Sequence, residues 1–328
     1  MRAAFLAGPG DVRVGDFGVQ CPRDREVLVQ MHHAAVCGSD VHHVYDGFHV
    51  DAMLGRPGYP GHEGVGVVVE SRAPGFAPGD AVLTVPAGTA GGCFAEYQVV
   101  DDLHLVPLRA GADLRRAVQA QQLGTTVFAL KRFLPLAGEV RHAAVIGAGS
   151  AGTYFLQQLL AAGAEVVVSD LDPRRLATAA ALGATRTVLA PRESVVEAVL
   201  DATGGAGADL VVEAAGYDAC REDAVKAVRP HGVAGFFGYA ERLGSSPFPV
   251  QLAFTKSVSC LWVCGTQAEP GLASFRQALD WIDAGRISVE HCLGSSYPLE
   301  EVPTALAVAR EHGHGAAKIT IELPAATR

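Results

Sequence analysis

Two groups of residues have the types and spacing to do chemistry. The first is Val36 to Gly47, VCGSDVHHVYDG, taken with Gly61-His62-Glu63-Gly64. It gathers a thiol, imidazoles and carboxylates in glycine-rich segments, a mixture suited to holding a metal ion and moving protons. Taken singly, Cys37 also reads as a small buried thiol and His62 as a core histidine, and only the joint pattern favours a site. The second group is Gly147, Gly149 and Gly152 in the run Ala143-Ala-Val-Ile-Gly147-Ala-Gly149-Ser150-Ala151-Gly152, followed by Asp170. Three glycines so spaced tighten a turn, admit a pyrophosphate to the backbone and let a helix pack on a strand. Asp170 is then placed to accept hydrogen bonds from ribose hydroxyls, which favours NAD over NADP. Arg174 and Arg175 pull the other way, since arginine accommodates a 2′-phosphate.

The elements that must position these groups differ in kind. From Met1 to about Pro107, short apolar runs (26–31, 64–70, 80–85 and 97–100) are separated by glycine, proline and aspartate, which predicts a compact β-rich barrel. The Cys37 stretch begins where one strand ends and reads as a loop, with His43 and His49 as solvated loop histidines and His32 and His33 as structural strand residues. From Leu114 to Phe133 the spacing turns helical. The Gly147 turn then lies between a buried strand and a helix to about Ala162, with a second strand Glu165–Ser169 ending at Asp170. Asp172-Pro173 opens a further helix that Gly183 stops. Strands over 209–216 and 232–238 complete a doubly wound parallel sheet, whose strand ends bring Ala215, Gly238 and Val263 to the cofactor. Helices over 271–285 and 299–312 and a closing strand over 317–323 follow. The class is α/β, with a β-rich domain over 1–124 and 266–328 and a dinucleotide-binding domain over 125–265.

Composition bounds the partners. The chain has 328 residues, 49% of them hydrophobic, enough for two cores. A formal charge of −9 with no long basic run excludes nucleic acid as a natural partner. No apolar stretch nears the ~20 residues of a bilayer span, so a cytoplasmic location without membrane attachment is expected. The 7 cysteines, odd in number and scattered, predict reduced thiols.

Nearly end to end, the chain resembles the zinc-containing medium-chain alcohol dehydrogenases, and among them the polyol (sorbitol) dehydrogenase branch. The likeness rests on Cys37-Gly-Ser-Asp-Val-His42, Gly61-His-Glu-Gly-Val-Gly66, Pro78-Gly-Asp80, Phe94-Ala-Glu-Tyr97, the Gly147 to Gly152 turn and Lys318. The resemblance implies a GroES-like catalytic domain, a Rossmann domain, NAD as cofactor and one catalytic zinc held by Cys37, His62 and Glu63. It further implies Ser39 at the substrate hydroxyl, His42 as proton outlet, Asp40 as the carboxylate orienting a ligand imidazole, and Thr125, Arg175 and Lys318 as cofactor contacts. Relatives of this kind are dimers or tetramers, so a homo-oligomer is expected. Two departures stand out. The cysteine-rich lobe that holds a structural zinc is missing between Val85 and Phe94, with only Cys93 left, and Gln121 stands where a cysteine or glutamate would be the third ligand.

The implied activity is reversible NAD-dependent oxidation of a secondary alcohol to a ketone, the substrate being a polyol, sugar alcohol or similar small molecule. The rival readings are a metal-free dehydrogenase with a remnant zinc motif and a dinucleotide-binding protein without turnover.

Overall fold

A computed structural model describes residues 1–86 and 91–323 and divides the chain into two units. The first comprises Met1–Gly124, Gly265–His314 and Lys318–Arg328, and the second Thr125–Cys264 with Gly315–Ala317. Of the shortened connection between Val85 and Phe94, residues 87–90 lie outside the described residues.

The first unit begins with β1 (Arg2–Gly8), β2 (Asp11–Asp16), β3 (Glu26–Val36), α1 (Gly38–Tyr45), β4 (Glu63–Ser71), β5 (Ala81–Thr84), β6 (Tyr97–Asp101), β7 (Leu105–Pro107) and α2 (Leu114–Ala117). Helix α3 (Gln119–Ala137) carries the chain into the second unit: β8 (His142–Ile146), α4 (Ser150–Ala161), β9 (Glu165–Asp170), α5 (Pro173–Ala181), β10 (Arg186–Leu189), α6 (Val195–Ala202), β11 (Ala208–Glu213), α7 (Asp218–Ala227), β12 (Val228–Phe236), α8 (Val250–Thr255) and β13 (Ser259–Trp262). The chain returns to the first unit with α9 (Ala273–Asp283), β14 (Ser296–Pro298), α10 (Val302–Arg310) and β15 (Ile319–Glu322).

In the first unit the long strand β3 is the axis. It pairs with β4 along its length on one side, and on the other with β6 over its first half and β15 over its second, all antiparallel. Its alternating inward residues Val27, Val29 and Met31 join Val68, Val82, Phe94, Leu306 and Ile321 in one apolar core. Cys37 therefore leaves a strand fixed on both edges.

The second unit is a six-stranded parallel sheet in the order β10-β9-β8-β11-β12-β13. Period-two alternation splits its side chains between two cores. Ala143, Val145, Val166, Val168, Leu210 and Val212 pack with Phe133, Phe155 and Leu159, while Ala144, Ile146, Val167 and Val211 pack with Val199, Val225 and Phe236. Burial on both faces explains why these strands read as unbroken apolar runs. This is the expected combination of a GroES-like unit and a Rossmann unit.

Local expectations needed correction in three places. Within the Val36 to Gly47 stretch, Gly38–Tyr45 form helix α1 rather than a loop, because Asp40 in its first turn accepts the Cys37 N–H at 2.9 Å and caps a sequence of modest helix propensity. His43 is accordingly buried, its Nδ1 2.6 Å from the Ser39 carbonyl oxygen. The helical run from Leu114 breaks at Val118 into α2 and α3. The strand read over 209–216 stops at Glu213, and Ala214 to Gly216 form a loop. Among the described residues no cysteine takes part in a disulfide. Among the described residues no helix is long and apolar enough to cross a membrane.

Candidate active site

Helix α1 delivers Cys37 at its N-terminal boundary and Ser39, Asp40 and His42 in its first two turns, while His62 and Glu63 stand at the start of β4. Asp40 is fully buried and uses both oxygens: Oδ2 accepts from the Cys37 amide, and Oδ1 lies 2.9 Å from His62 Nδ1. One carboxylate thus fixes the thiol's backbone and the imidazole's orientation together. The ligand atoms of Cys37, His62 and Glu63 all lie within 4.8 Å of one another, and they form the metal-competent cluster found among the described residues. Three donors around one Zn²⁺ at ~2.0–2.3 Å would stand roughly 3.5 Å apart, so this sulfur, nitrogen and oxygen set fits the ion with small closure.

The cluster is electrostatically loaded. Burial opposes an imidazolium at His62, but the charge and hydrogen bond of Asp40, with Cys37 beside it, raise its pKa well above the ordinary histidine value. A positive charge at that position is favoured. Gln121 is buried next to the cluster, its Nε2 3.4 Å from the His62 carbonyl oxygen, so its amide nitrogen is engaged by the backbone there.

Lys318 brings a partner for Glu63 that the sequence did not indicate. Its ammonium sits 2.8 Å from Glu63 Oε1 and 2.7 Å from Oε2, with well-directed hydrogen-bond geometry to Oε1, and the Gln122 amide oxygen is 3.4 Å away. Both partners are buried, Lys318 at 5% and Glu63 at 1% exposure. Burial disfavours the ammonium, yet Glu63, Cys37 and Asp40 outweigh it and hold the Lys318 pKa above its usual value. The cofactor contact that the resemblance implies for Lys318 belongs to a side chain already bound to the Glu63 carboxylate.

His42 and Ser39, three residues apart, lie on neighbouring positions of α1. The ring Nδ1 of His42 is 2.8 Å from Asp46 Oδ2, so Asp46 orients the expected proton outlet.

In the second unit the Gly147 to Gly152 turn joins β8 to α4. Gly147 has φ +100°, and a Cβ on Gly152 would come within 1.8 Å of the Gly147 carbonyl oxygen, so a side chain there would force helix from strand. The Ser150 amide at the helix start donates to the Ala317 carbonyl at 2.9 Å. Ala151 follows, half-buried, in the first turn of α4, and Thr125, also half-buried, lies in α3. Asp170 at the end of β9 accepts from the Ala148 amide at 2.7 Å and the Asp172 amide at 2.8 Å. Arg175 donates to the Ala316 carbonyl at 2.9 Å and stands 4.0 Å from Asp170. Ala215 abuts Gly147, Gly238 lies against Gly216, and the Val263 amide donates to the Phe236 carbonyl.

Two residues that hold this loop cluster were missed. Glu213 accepts from the Ala215 and Gly216 amides at 2.7 and 2.5 Å, and Arg221 donates to the Gly216 carbonyl at 2.8 Å while pairing with Asp218. Burial raises the Glu213 pKa despite those amides. For Glu213 the available signal was a charge inside an otherwise apolar run, whereas Arg221, beside Glu222 and Asp223, stood in a charged segment that gave none.

Comparison with known proteins extends the picture. Residues 23–110 match the family described as the alcohol dehydrogenase GroES-like domain, and residues 151–284 the zinc-binding dehydrogenase family. A probable zinc-binding alcohol dehydrogenase of Mycobacterium tuberculosis is 30% identical over 94% of this chain and 85% of its own length. The sorbitol dehydrogenase of Bacillus subtilis is 22% identical, covering 98% of this chain and 97% of its own. The solved alcohol dehydrogenase TADH of Thermus sp. ATN1 superposes with a TM-score of 0.84 at 26% identity, over 99% of this chain and 100% of its own. By this shared length, and by the two domain families that its halves match, the chain belongs to the zinc-type medium-chain alcohol dehydrogenases, oxidoreductases that act on CH–OH groups.

Proposed function

We propose that the chain reversibly oxidises a secondary alcohol, a polyol, sugar alcohol or similar hydroxylated small molecule, to the ketone, with NAD as hydride acceptor and one zinc held by Cys37, His62 and Glu63. The observation that carries this reading is the Asp40 carboxylate, bonded at once to the Cys37 amide and the His62 ring. Buried carboxylate-imidazole pairs beside a thiol are what a metal site requires and what a packed core avoids.

When bound, zinc supplies Lewis acidity and NAD the hydride acceptor. The chain's own residues do the rest. Asp40 holds His62 Nδ1, which leaves Nε2 as the donor atom. Ser39 accepts the substrate hydroxyl proton and His42 passes it outward, its ring fixed at Nδ1 by Asp46. The Gly147 to Gly152 turn admits the pyrophosphate. Asp170 would accept from the ribose hydroxyls of a bound dinucleotide, and NAD is favoured over NADP because Arg175 donates to the Ala316 carbonyl.

One observation favours the rival, metal-free reading: Lys318 already neutralises Glu63. Elemental analysis of freshly purified protein and a Cys37→Ala variant separates the two. About one zinc per wild-type chain, none in the variant, and NAD-linked turnover of polyols abolished by chelator are expected. Turnover that ignores zinc and chelator alike would sink the zinc mechanism, and a clear NADP preference would sink the Asp170 assignment.

In this reading the protein works in the cytoplasm as a dimer or tetramer. Phe254, 84% exposed, and Trp262, 60% exposed, are contributed by α8 and by β13 at the open edge of the parallel sheet, and an apolar strand edge invites a partner. Sedimentation velocity should give an oligomer that Phe254→Glu weakens; a monomeric wild type ends the idea.

A further inference from the structure

We propose that the Lys318 ammonium and a divalent metal ion are alternative counter-ions of one carboxylate, Glu63, so that Lys318 sets how tightly the Cys37, His62 and Glu63 cluster binds zinc. The cluster has three donors. Gln121, at the position of a further ligand by resemblance, turns its amide nitrogen to the His62 carbonyl. Glu63 supplies the third donor atom of the cluster, and it is the one already engaged, at 2.7 and 2.8 Å, by a buried cation. The carboxylate that binds the ammonium stands in one cluster with Cys37 and His62, whose orientation Asp40 fixes, so the ammonium occupies the edge of the site that would hold the metal. Two cations sharing one buried carboxylate repel each other at short range and in low dielectric, so zinc must either displace the ammonium or bind against its charge. Gln122, whose amide oxygen lies 3.4 Å from Nζ, gives the displaced ammonium a neutral partner.

The inference rests on the zinc reading only for the identity of the ion. Its test is binding rather than turnover: Zn²⁺ affinity by competition with a chromophoric chelator, for wild type, Lys318→Met and Lys318→Arg. Lys318→Met keeps the buried aliphatic stem and removes the charge, and should bind zinc at least about tenfold more tightly. Lys318→Arg keeps the charge and should return affinity to the wild-type range. Should the metal-free Met variant prove too unstable for titration, because Glu63 is left buried and unpaired, added Zn²⁺ should raise its melting temperature by more than that of wild type. Equal or weaker zinc binding by Lys318→Met, or no zinc-induced stabilisation beyond wild type, overturns the proposal. A wild type free of zinc beside a Met variant that binds it would sustain this inference while defeating the zinc reading of the native enzyme. A fully loaded wild type with an unchanged Met variant would do the reverse.

Discussion

Asp40 shows how much one side chain can decide. With one oxygen on the Cys37 amide and the other on the His62 ring, it ties the two motifs of the first unit into a single donor set. Asparagine would keep the size but supply one acceptor and one NH₂, so Asp40→Asn must lose either the amide or the imidazole. The expected result is zinc affinity lowered about 10- to 100-fold, with the melting temperature little changed, read by the same chelator competition. Unaltered affinity would mean that the carboxylate caps α1 and does nothing for the metal. At this scale the sequence was most informative about residue types. Cys37, Asp40, His62 and Glu63 stood in recognisable short motifs and the fold brings them together. The ionic partner of Glu63 was not legible, because Lys318 lies 255 residues away and nothing local to either residue records the other.

Among elements, four of the six strands of the parallel sheet were legible, whereas β10 and β13 were not read as strands. Continuous apolar runs, glycine turns and the Asp172-Pro173 helix start each express a local rule. Helix α1 was not, since Gly38, Val41 and two histidines argue against a helix and the capping carboxylate that overrides them is recognised only once its bond to Cys37 is seen. The loop after β11 holds the clearest element-level prediction. Its Gly216 peptide is gripped on both sides, N–H by Glu213 and carbonyl by Arg221. Arg221→Met removes one grip and half of a buried ion pair, a change worth about 3 kcal/mol, since Arg242 still neutralises Asp218. NADH should bind at least about tenfold more weakly by fluorescence titration, with zinc affinity untouched. Retained NADH affinity at reduced stability would make the grip purely structural.

At the scale of the whole molecule, the units of the chain are unequal in their connectivity. The second is built almost wholly from one uninterrupted segment, Thr125–Cys264, whereas the first is split, with β15 arriving last in sequence to pair with β3. That pairing has a kinetic consequence. Neighbouring strands of the parallel sheet can close short loops early, while the frame around Glu63 must wait for a partner from the other end of the chain, a slow and entropically costly closure. The two tryptophans happen to report this separately, Trp262 in the second unit and Trp281 in the first. On refolding from denaturant, fluorescence of the Trp281→Phe variant should recover before that of Trp262→Phe. A single shared rate would mean that the units fold as one. If the order holds, every molecule passes through an interval in which the nucleotide-binding sheet is formed and Glu63 is still without its lysine, and zinc present during that interval meets the carboxylate before its competitor does.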